Sequence, residues 1–401
     1  ESQVLELGET LEITPELLNP EGATYSWLVN GKEYSTEPTF SYKIDNPCRA
    51  DLTCIIKNKY GKVEMSTSFS SNHNFSKGFF YVADGTFNFY DTEKKTAYQD
   101  CYASLNAGKT LGIGNYDSAN IIHSNGKFYL LVGTSTSNRD HFYIVDAKTL
   151  YYENSAAVGA NLSGLTILNE QYGLVTGGIR RIDLKSLNNV RIKNERLLCF
   201  YNSIIYNGKV LSNDTYKDES KVKYYDVNEL IAAKEGEAPA VTELDIIQKQ
   251  KINFVLAKDG NVYTLESADN GCNIVKIKND FTLEKVFANF QPAKGPYHSS
   301  PTIGMVASET ENIIYLVSTD GAIYKYILGD SDSLKAPFIA AESGVSITAP
   351  LQLNQQSGEL YVTYTEELKD ESKIVVYSKD GKVLHTVDCG ESVPSQILFN
   401  N

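Results

Sequence analysis

Basic residues are the minority charge in this 401-residue chain: 37 Lys and Arg stand against 50 Asp and Glu, a formal net charge of −13. Phosphate backbones are gripped by basic faces, and the Lys and Arg here are scattered, which excludes nucleic acid as a partner. No apolar run approaches the roughly 20 residues of a membrane-spanning helix. The six cysteines, Cys48, Cys54, Cys101, Cys199, Cys272 and Cys389, form no CxxC pair and no metal-ligand spacing. Most read as buried free thiols, and a Cys48–Cys54 bond, which would join a strand to its preceding turn, is not expected. Histidine occurs at 73, 123, 141, 298 and 385. His298 stands just before an apolar strand, yet no Gly-x-Ser-x-Gly elbow accompanies it, so it reads as a polar loop residue. Tryptophan appears once and methionine twice, whereas tyrosine appears 27 times. Tyrosine has high β propensity and a ring that packs while its hydroxyl still bonds, so most of these are strand residues.

Against these absences stands a repeat. Seven times after residue 75 a short apolar strand opens on Gly, Asn or Gln, as in Lys77-Gly78-Phe79-Phe80-Tyr81, Gly126-Lys127-Phe128-Tyr129 and Gly260-Asn261-Val262-Tyr263. Aligned positions 81, 129, 173, 211, 263, 315 and 361 are separated by 48, 44, 38, 52, 52 and 46 residues. A period near 40–50 with several strands per unit predicts a β-propeller of seven blades. A second anchor recurs in Phe89-Tyr90-Asp91, Ile144-Val145-Asp146, Arg181-Ile182-Asp183 and Tyr224-Tyr225-Asp226, where the acid is placed to cap the turn after the third strand. Only the first unit lacks an inner strand of its own. The last residues, Ser395-Gln396-Ile397-Leu398-Phe399, are such a strand, and they are expected to complete the first blade and close the ring.

Residues 1–71 do not follow the repeat. They read as short alternating strands, including Tyr25-Ser26-Trp27-Leu28-Val29 before an Asn30-Gly31 turn, and predict a small β-sandwich with Trp27 at its buried centre. Residues 72–77 form a short linker, and the propeller occupies 78–401. Tyr25-Ser26-Trp27 with its Asn-Gly turn, followed by Ala50-x-Leu52-x-Cys54-x-Ile56-x-Asn58-x-Tyr60-Gly61, resembles the PKD-like family of immunoglobulin-type modules. The departure is Ala50, where that family usually has an aromatic. The strand pairs and Ile-Val-Asp-type third strands of 78–401 resemble the seven-bladed YVTN/YncE-like propellers. With a PKD-like module in front, the chain resembles extracytoplasmic lipoproteins of Gram-negative bacteria. The resemblance implies a cell-envelope location, outer-membrane attachment as a lipoprotein facing the surface or the periplasm, and membrane contact only through a lipid anchor upstream of Glu1. It also implies capture of a corrinoid, another nutrient, a glycan-like ligand or an envelope protein such as an outer-membrane transporter.

Propellers host unrelated activities, so function rests on the site. Quinone-dependent dehydrogenase blades dock through repeated tryptophans, and this chain has none after Trp27. The Ser-x-Asp-x-Gly-x-Thr-Trp box of sialidase-type blades is missing, and the Gly-Gly pair of kelch blades occurs only at Gly177-Gly178. Asp330-Ser331-Asp332 has calcium-like spacing without the rest of a calcium loop, and reads as a solvated turn. What remains is the set of connections entering each inner strand, rich in Asn, Ser, Thr and Tyr, among them Ser346-Ile347-Thr348-Ala349-Pro350. Asn120, Asn161, Asn202 and Asn253, joined by Tyr201, Tyr297 and His298, could rim a polar mouth, with Arg139 and Arg180 adding an anionic contact. The competing account is that Asn satisfies backbone groups in tight loops. The leading expectation is a non-enzymatic binding protein with no cofactor, no metal and no catalytic residue. The rivals are a lactonase-, lyase- or glycosidase-type propeller enzyme at the same mouth, and a protein-interaction scaffold.

Overall fold

Alternation builds the N-terminal module. Along the strand Arg49–Asn58, Ala50, Leu52, Cys54 and Ile56 are buried while the residues between them reach toward solvent. The computed structural model describes residues 2–107, 109–111, 118–133, 140–159, 164–176, 179–192, 203–213, 220–237, 239–249, 253–293, 304–366 and 371–400. In it, the strands Gln3–Glu6, Gly61–Asn72, Arg49–Asn58, Thr24–Val29 and Lys32–Ser35 form one sheet in that order, and Thr10–Ile13 pairs with Phe40–Lys43 in a second. The two sheets share one core around Leu11, Trp27, Phe40, Leu52 and Phe69. Trp27 is 2% exposed, packs 5.2 Å from Phe40, and donates its indole N–H to Glu37 O at 2.9 Å. Where the family usually places an aromatic, Ala50 lies opposite Phe69, and Phe69 fills that part of the core from the neighbouring strand. Cys48 and Cys54 are buried free thiols, as are Cys101 and Cys272; Cys389 is free and half-buried, and Cys199 lies outside the described residues. The short turn Phe75–Lys77 follows, with Phe75 packed into the next core.

After residue 77 the described strands fall into seven further sheets. The first holds Thr96–Tyr98, Thr86–Asp91, Gly78–Ala83 and Pro394–Leu398 in that order. The others follow the chain as antiparallel meanders over residues 118–159, 164–191, 204–248, 255–290, 305–327 and 345–390. The period of two decides which neighbour each side chain meets. In Lys127–Gly133, Phe128, Leu130 and Val132 pack against the first sheet, and Tyr129 and Leu131 pack against the third. In Gly78–Ala83, Phe80 and Val82 face the second sheet, while Phe79, Tyr81 and Ala83 share a core with Tyr361, Ile374 and Val376 of the seventh. Every sheet thus shares one apolar core with the sheet before it and another with the sheet after it, the last being joined to the first. The C-terminal strand pairs antiparallel with Gly78–Ala83, Ile397 lying opposite Tyr81. Gln396 Nε2 also reaches Ile121 O of the second sheet at 2.7 Å.

A buried polar chain links the fourth, fifth and sixth sheets. Asn213 Nδ2 donates to Gln248 Oε1 at 2.6 Å, and Gln248 Nε2 donates to Thr264 Oγ1 at 2.9 Å and Leu265 O at 3.0 Å. Thr264 Oγ1 donates to Asn253 O at 3.0 Å. The Asn253 amide then bonds both the N–H of Met305 (3.0 Å) and its carbonyl (2.6 Å) in the sixth sheet.

The recurring acids cap turns, as their position predicts. Asp91, Asp146 and Asp183 each accept from the main-chain N–H groups two and three residues on, and Asp226 does so at the start of the helix Val227–Ala232. Asp330 similarly accepts from Asp332 N. The Ser186 N–H holds the Asp183 carboxyl below its usual range, and the Lys209 ammonium, 2.7 Å away, does so for Asp226. Burial alone would raise Asp146, but Thr149 and Lys127 outweigh it and the net direction is down. Carboxyls that ionise more readily folded than unfolded stabilise fully above the unfolded value of about 3.9, and that contribution is lost as pH falls through the folded values. The urea midpoint should therefore hold from pH 7 to about pH 5 and drop below about pH 4. An equal midpoint at pH 3 and pH 7 would contradict this account.

Candidate functional site

The connections that enter inner strands and those between second and third strands lie at the same end of each sheet. The register shows this: Ser118, opening the second sheet, faces Gly133, where the next strand ends. At that end, between the sixth and seventh sheets, lies a cleft of about 510 Å³. One wall is the turn Ser318–Ala322. Ser318 is buried, and its hydroxyl bonds the Asp320 carboxylate and Ala322 O. Ala322 N also donates to Asp320 at 3.2 Å, and Gly321 supplies the left-handed backbone (φ 85°) that closes the turn. Ser318 and the Ala322 N–H keep the Asp320 carboxyl below its usual range, so it is anionic at neutral pH. The other wall is 341–348, with Glu342, Ser343, Ser346 and Thr348; the apolar floor is Ala293, Val317, Val345 and Ile347. Thr348 Oγ1 continues into a hydroxyl ladder through Thr365 (3.0 Å) to Ser372 (2.9 Å). Behind the floor the Tyr364 and Tyr377 hydroxyls meet at 3.1 Å; burial holds both above the usual phenol range, and the Glu342 charge adds to it. The described lining contains two carboxylates and no Lys or Arg. Such a lining repels anions and suits a neutral hydroxyl-rich or a cationic ligand.

A second cleft, about 430 Å³, opens between the fifth and sixth sheets at the opposite end, where first strands turn into second strands. Its charges are matched internally: Lys276 and the Tyr263 hydroxyl both lie 2.9 Å from Asp259, and Lys278 lies 2.9 Å from Glu284. All of these groups belong to the strands and turns of the fifth sheet, so the pairs brace that sheet and leave little for a ligand.

Of the residues expected at the mouth, Asn120, Arg180 and Asn253 are described. Asn120 is buried in Ser118–Ser124, Arg180 begins the strand Arg180–Asp183 and donates to Asn189 Oδ1 at 2.9 Å, and Asn253 holds Met305. All three sit at the entrance end of their sheets, but none lines the 510 Å³ cleft. Arg139, Asn161, Tyr201, Asn202, Tyr297 and His298 lie outside the described residues, as does Gly177-Gly178. The entrance segment Ser346-Ile347-Thr348, noted in the sequence for its polarity, does line the cleft. Asp320 and Glu342 carried no sequence signal beyond a Thr-Asp-Gly turn and a polar loop. Among the described residues no three His, Cys, Asp or Glu side chains gather as metal ligands, and no helix is long and apolar enough to cross a membrane.

Comparison with known proteins yields two family matches. Residues 2–58 match the PKD-like domain, and residues 75–400 match a domain of unknown function, DUF5074. No curated protein matches the chain. Among solved structures, a quinonprotein alcohol dehydrogenase-like protein from Bacteroides thetaiotaomicron is 99% identical, with a TM-score of 0.97 over 100% of this chain and 97% of that one. A functionally unknown protein from Desulfotomaculum acetoxidans matches at 13% identity and TM-score 0.52, over 81% of this chain and 99% of that one. A β-propeller domain of Cps50 from Myceliophteria thermophila matches at 12% identity and TM-score 0.42, over 68% and 89%. The sheets that share cores pairwise in chain order are propeller-like, and a family match spanning 75–400 covers well over half of the molecule: the chain belongs to the DUF5074 family, with a PKD-like module at its N-terminus.

Proposed function

We propose that this chain is a non-enzymatic binding protein of the bacterial cell envelope: a PKD-like module (1–71), a linker (72–77) and a seven-bladed, YncE-like β-propeller (78–401) whose entrance end captures a small polar ligand. The observation that carries the reading is the entrance-end cleft, walled by Asp320 and Glu342 and lined by hydroxyls over an apolar floor. A floor for a ring face and a rim for hydroxyls suit a glycan-like or amine-bearing nutrient. The resemblance to Gram-negative envelope lipoproteins supports a surface or periplasmic location, tethered at the outer membrane and working beside a transporter. Fractionation of cells expressing the natural protein checks that placement; recovery in the cytosol would overturn it.

The name of the Bacteroides relative raises a quinone cofactor. Among the described residues, no arrangement fits one. The sole tryptophan is committed to the N-terminal core, bonded to Glu37, and the cleft wall presents carboxylates where an anionic quinone would need cations.

Calorimetry with neutral oligosaccharides, polyols, amines and anionic metabolites tests the binding reading. Neutral or cationic compounds should bind and anionic ones should not. Asp320→Asn with Glu342→Gln should weaken the best binder by at least about tenfold, roughly 1.4 kcal/mol. Affinity unchanged in that variant, but lost on Asn202→Ala, Tyr297→Ala or His298→Ala, would move the site to the axial mouth. Affinity unchanged in all of them would move it off the entrance end.

A further inference from the structure

The strand Gly61–Asn72 is half uncovered. Gln3–Glu6 pairs with it only over Phe69–Asn72, so among the described residues the stretch from Gly61 to Ser66 has a strand partner on one side alone, and these six residues are all exposed. Ser71 N donates to Cys48 O, so odd-numbered residues of this strand turn their main-chain groups inward to Arg49–Asn58. Lys62, Glu64 and Ser66 therefore present free N–H and C=O groups along the open edge. Val63 and Met65, on the face that carries Phe69 into the core, are 56% and 45% exposed. Open edges of this kind template strand pairing unless something opposes it.

We propose that this edge pairs antiparallel with the same edge of a second copy of the chain, about a two-fold axis at Val63. This inference is independent of the ligand site. The charge pattern selects the partner. In that register Lys62 of each copy stands opposite Glu64 of the other, in pairs that exchange both main-chain bonds, and opposite charges directly across a sheet are favourable. Val63 meets Val63 across the axis. Met65 lies opposite Gly61, where nothing stands within 4 Å of the position a Cβ would take, so its side chain has room. Within one copy Lys62 and Glu64 pair at 2.9 Å with half-exposed side chains, an arrangement of little energetic value that is readily exchanged for the intermolecular one.

Sedimentation velocity of the full chain tests this. The intact protein should dimerise as concentration rises, and Lys62→Glu or Glu64→Lys alone should hold it monomeric by setting like charges opposite each other. Mixing these two monomeric variants should restore the dimer, because each then supplies the charge that the other lacks. Unchanged Trp27 emission in both variants shows that the module remains folded. An intact protein that stays monomeric, a single variant that still dimerises, or a mixture that fails to associate overturns the proposal.

Discussion

Deleting Ser395–Asn401 should cost this protein most of its stability. The deletion removes the inner-strand partner of Gly78–Ala83, uncovers the space filled by the buried side chains Ile397 and Leu398, and takes Phe399 from Tyr361, whose ring lies 4.9 Å away. Each buried aliphatic side chain contributes about 1.5–3 kcal/mol and each net ladder hydrogen bond about 0.5–1.5 kcal/mol. The loss is then on the order of 5 kcal/mol or more, within the range of a whole domain's stability. The shortened protein should aggregate or melt far below the intact one, because the remaining edge is rich in Phe and Tyr. Superimposable melting curves would show that the first sheet does not depend on this strand.

The second large effect is expected at Gln248. Its side chain is 1% exposed, and Gln248→Leu keeps the volume while removing three hydrogen bonds in the chain from Asn213 to Thr264 and Leu265. Buried polar groups deprived of a partner cost about 1–3 kcal/mol each, so a loss of about 3–5 kcal/mol is expected by urea denaturation. The double variant Asn213→Leu/Gln248→Leu should lose less than the sum of the two single losses, since both act on one bond. Strict additivity would mean that the two side chains act separately.

Why the polar chain escaped the sequence is clear from Gln248 itself: a glutamine next to Lys249 and Gln250 reads as surface, and only the packing of the fourth sheet on the fifth buries it. The strands were legible because alternation is local. Phe79-Phe80-Tyr81 announces a strand buried on both faces, and Asp146 and Asp183 announce their turns through side-chain chemistry that acts over two or three residues. The missing inner strand of the first sheet could be traced to residues 395–399 because a repeat exposes any gap in its own pattern. The cleft was legible only in part. Ser346 and Thr348 stood out as polar entrance residues, but Asp320 and Glu342 belong to separate turns that come together only when two sheets pack. Asn253 marks the limit of reading recurrence as function: its amide spans to the main chain of Met305, the structural use of asparagine that competed with ligand binding from the outset.

Of the described strands, the one that completes the first sheet is made last. Ser395 bonds Val82 across 313 residues of sequence. Bringing together the ends of so long a segment carries an entropic cost of about 5 kcal/mol, and contacts this distant form late. As the chain emerges, from ribosome or translocon, the N-terminal sandwich can fold once residue 72 is out, whereas Gly78–Ala83 must wait, with one side unpaired, through the emergence of every later sheet. Chaperone dependence in this protein should therefore track the time between emergence of residue 83 and emergence of residue 398, and a circular permutant that places 394–400 directly ahead of 78 should shorten it.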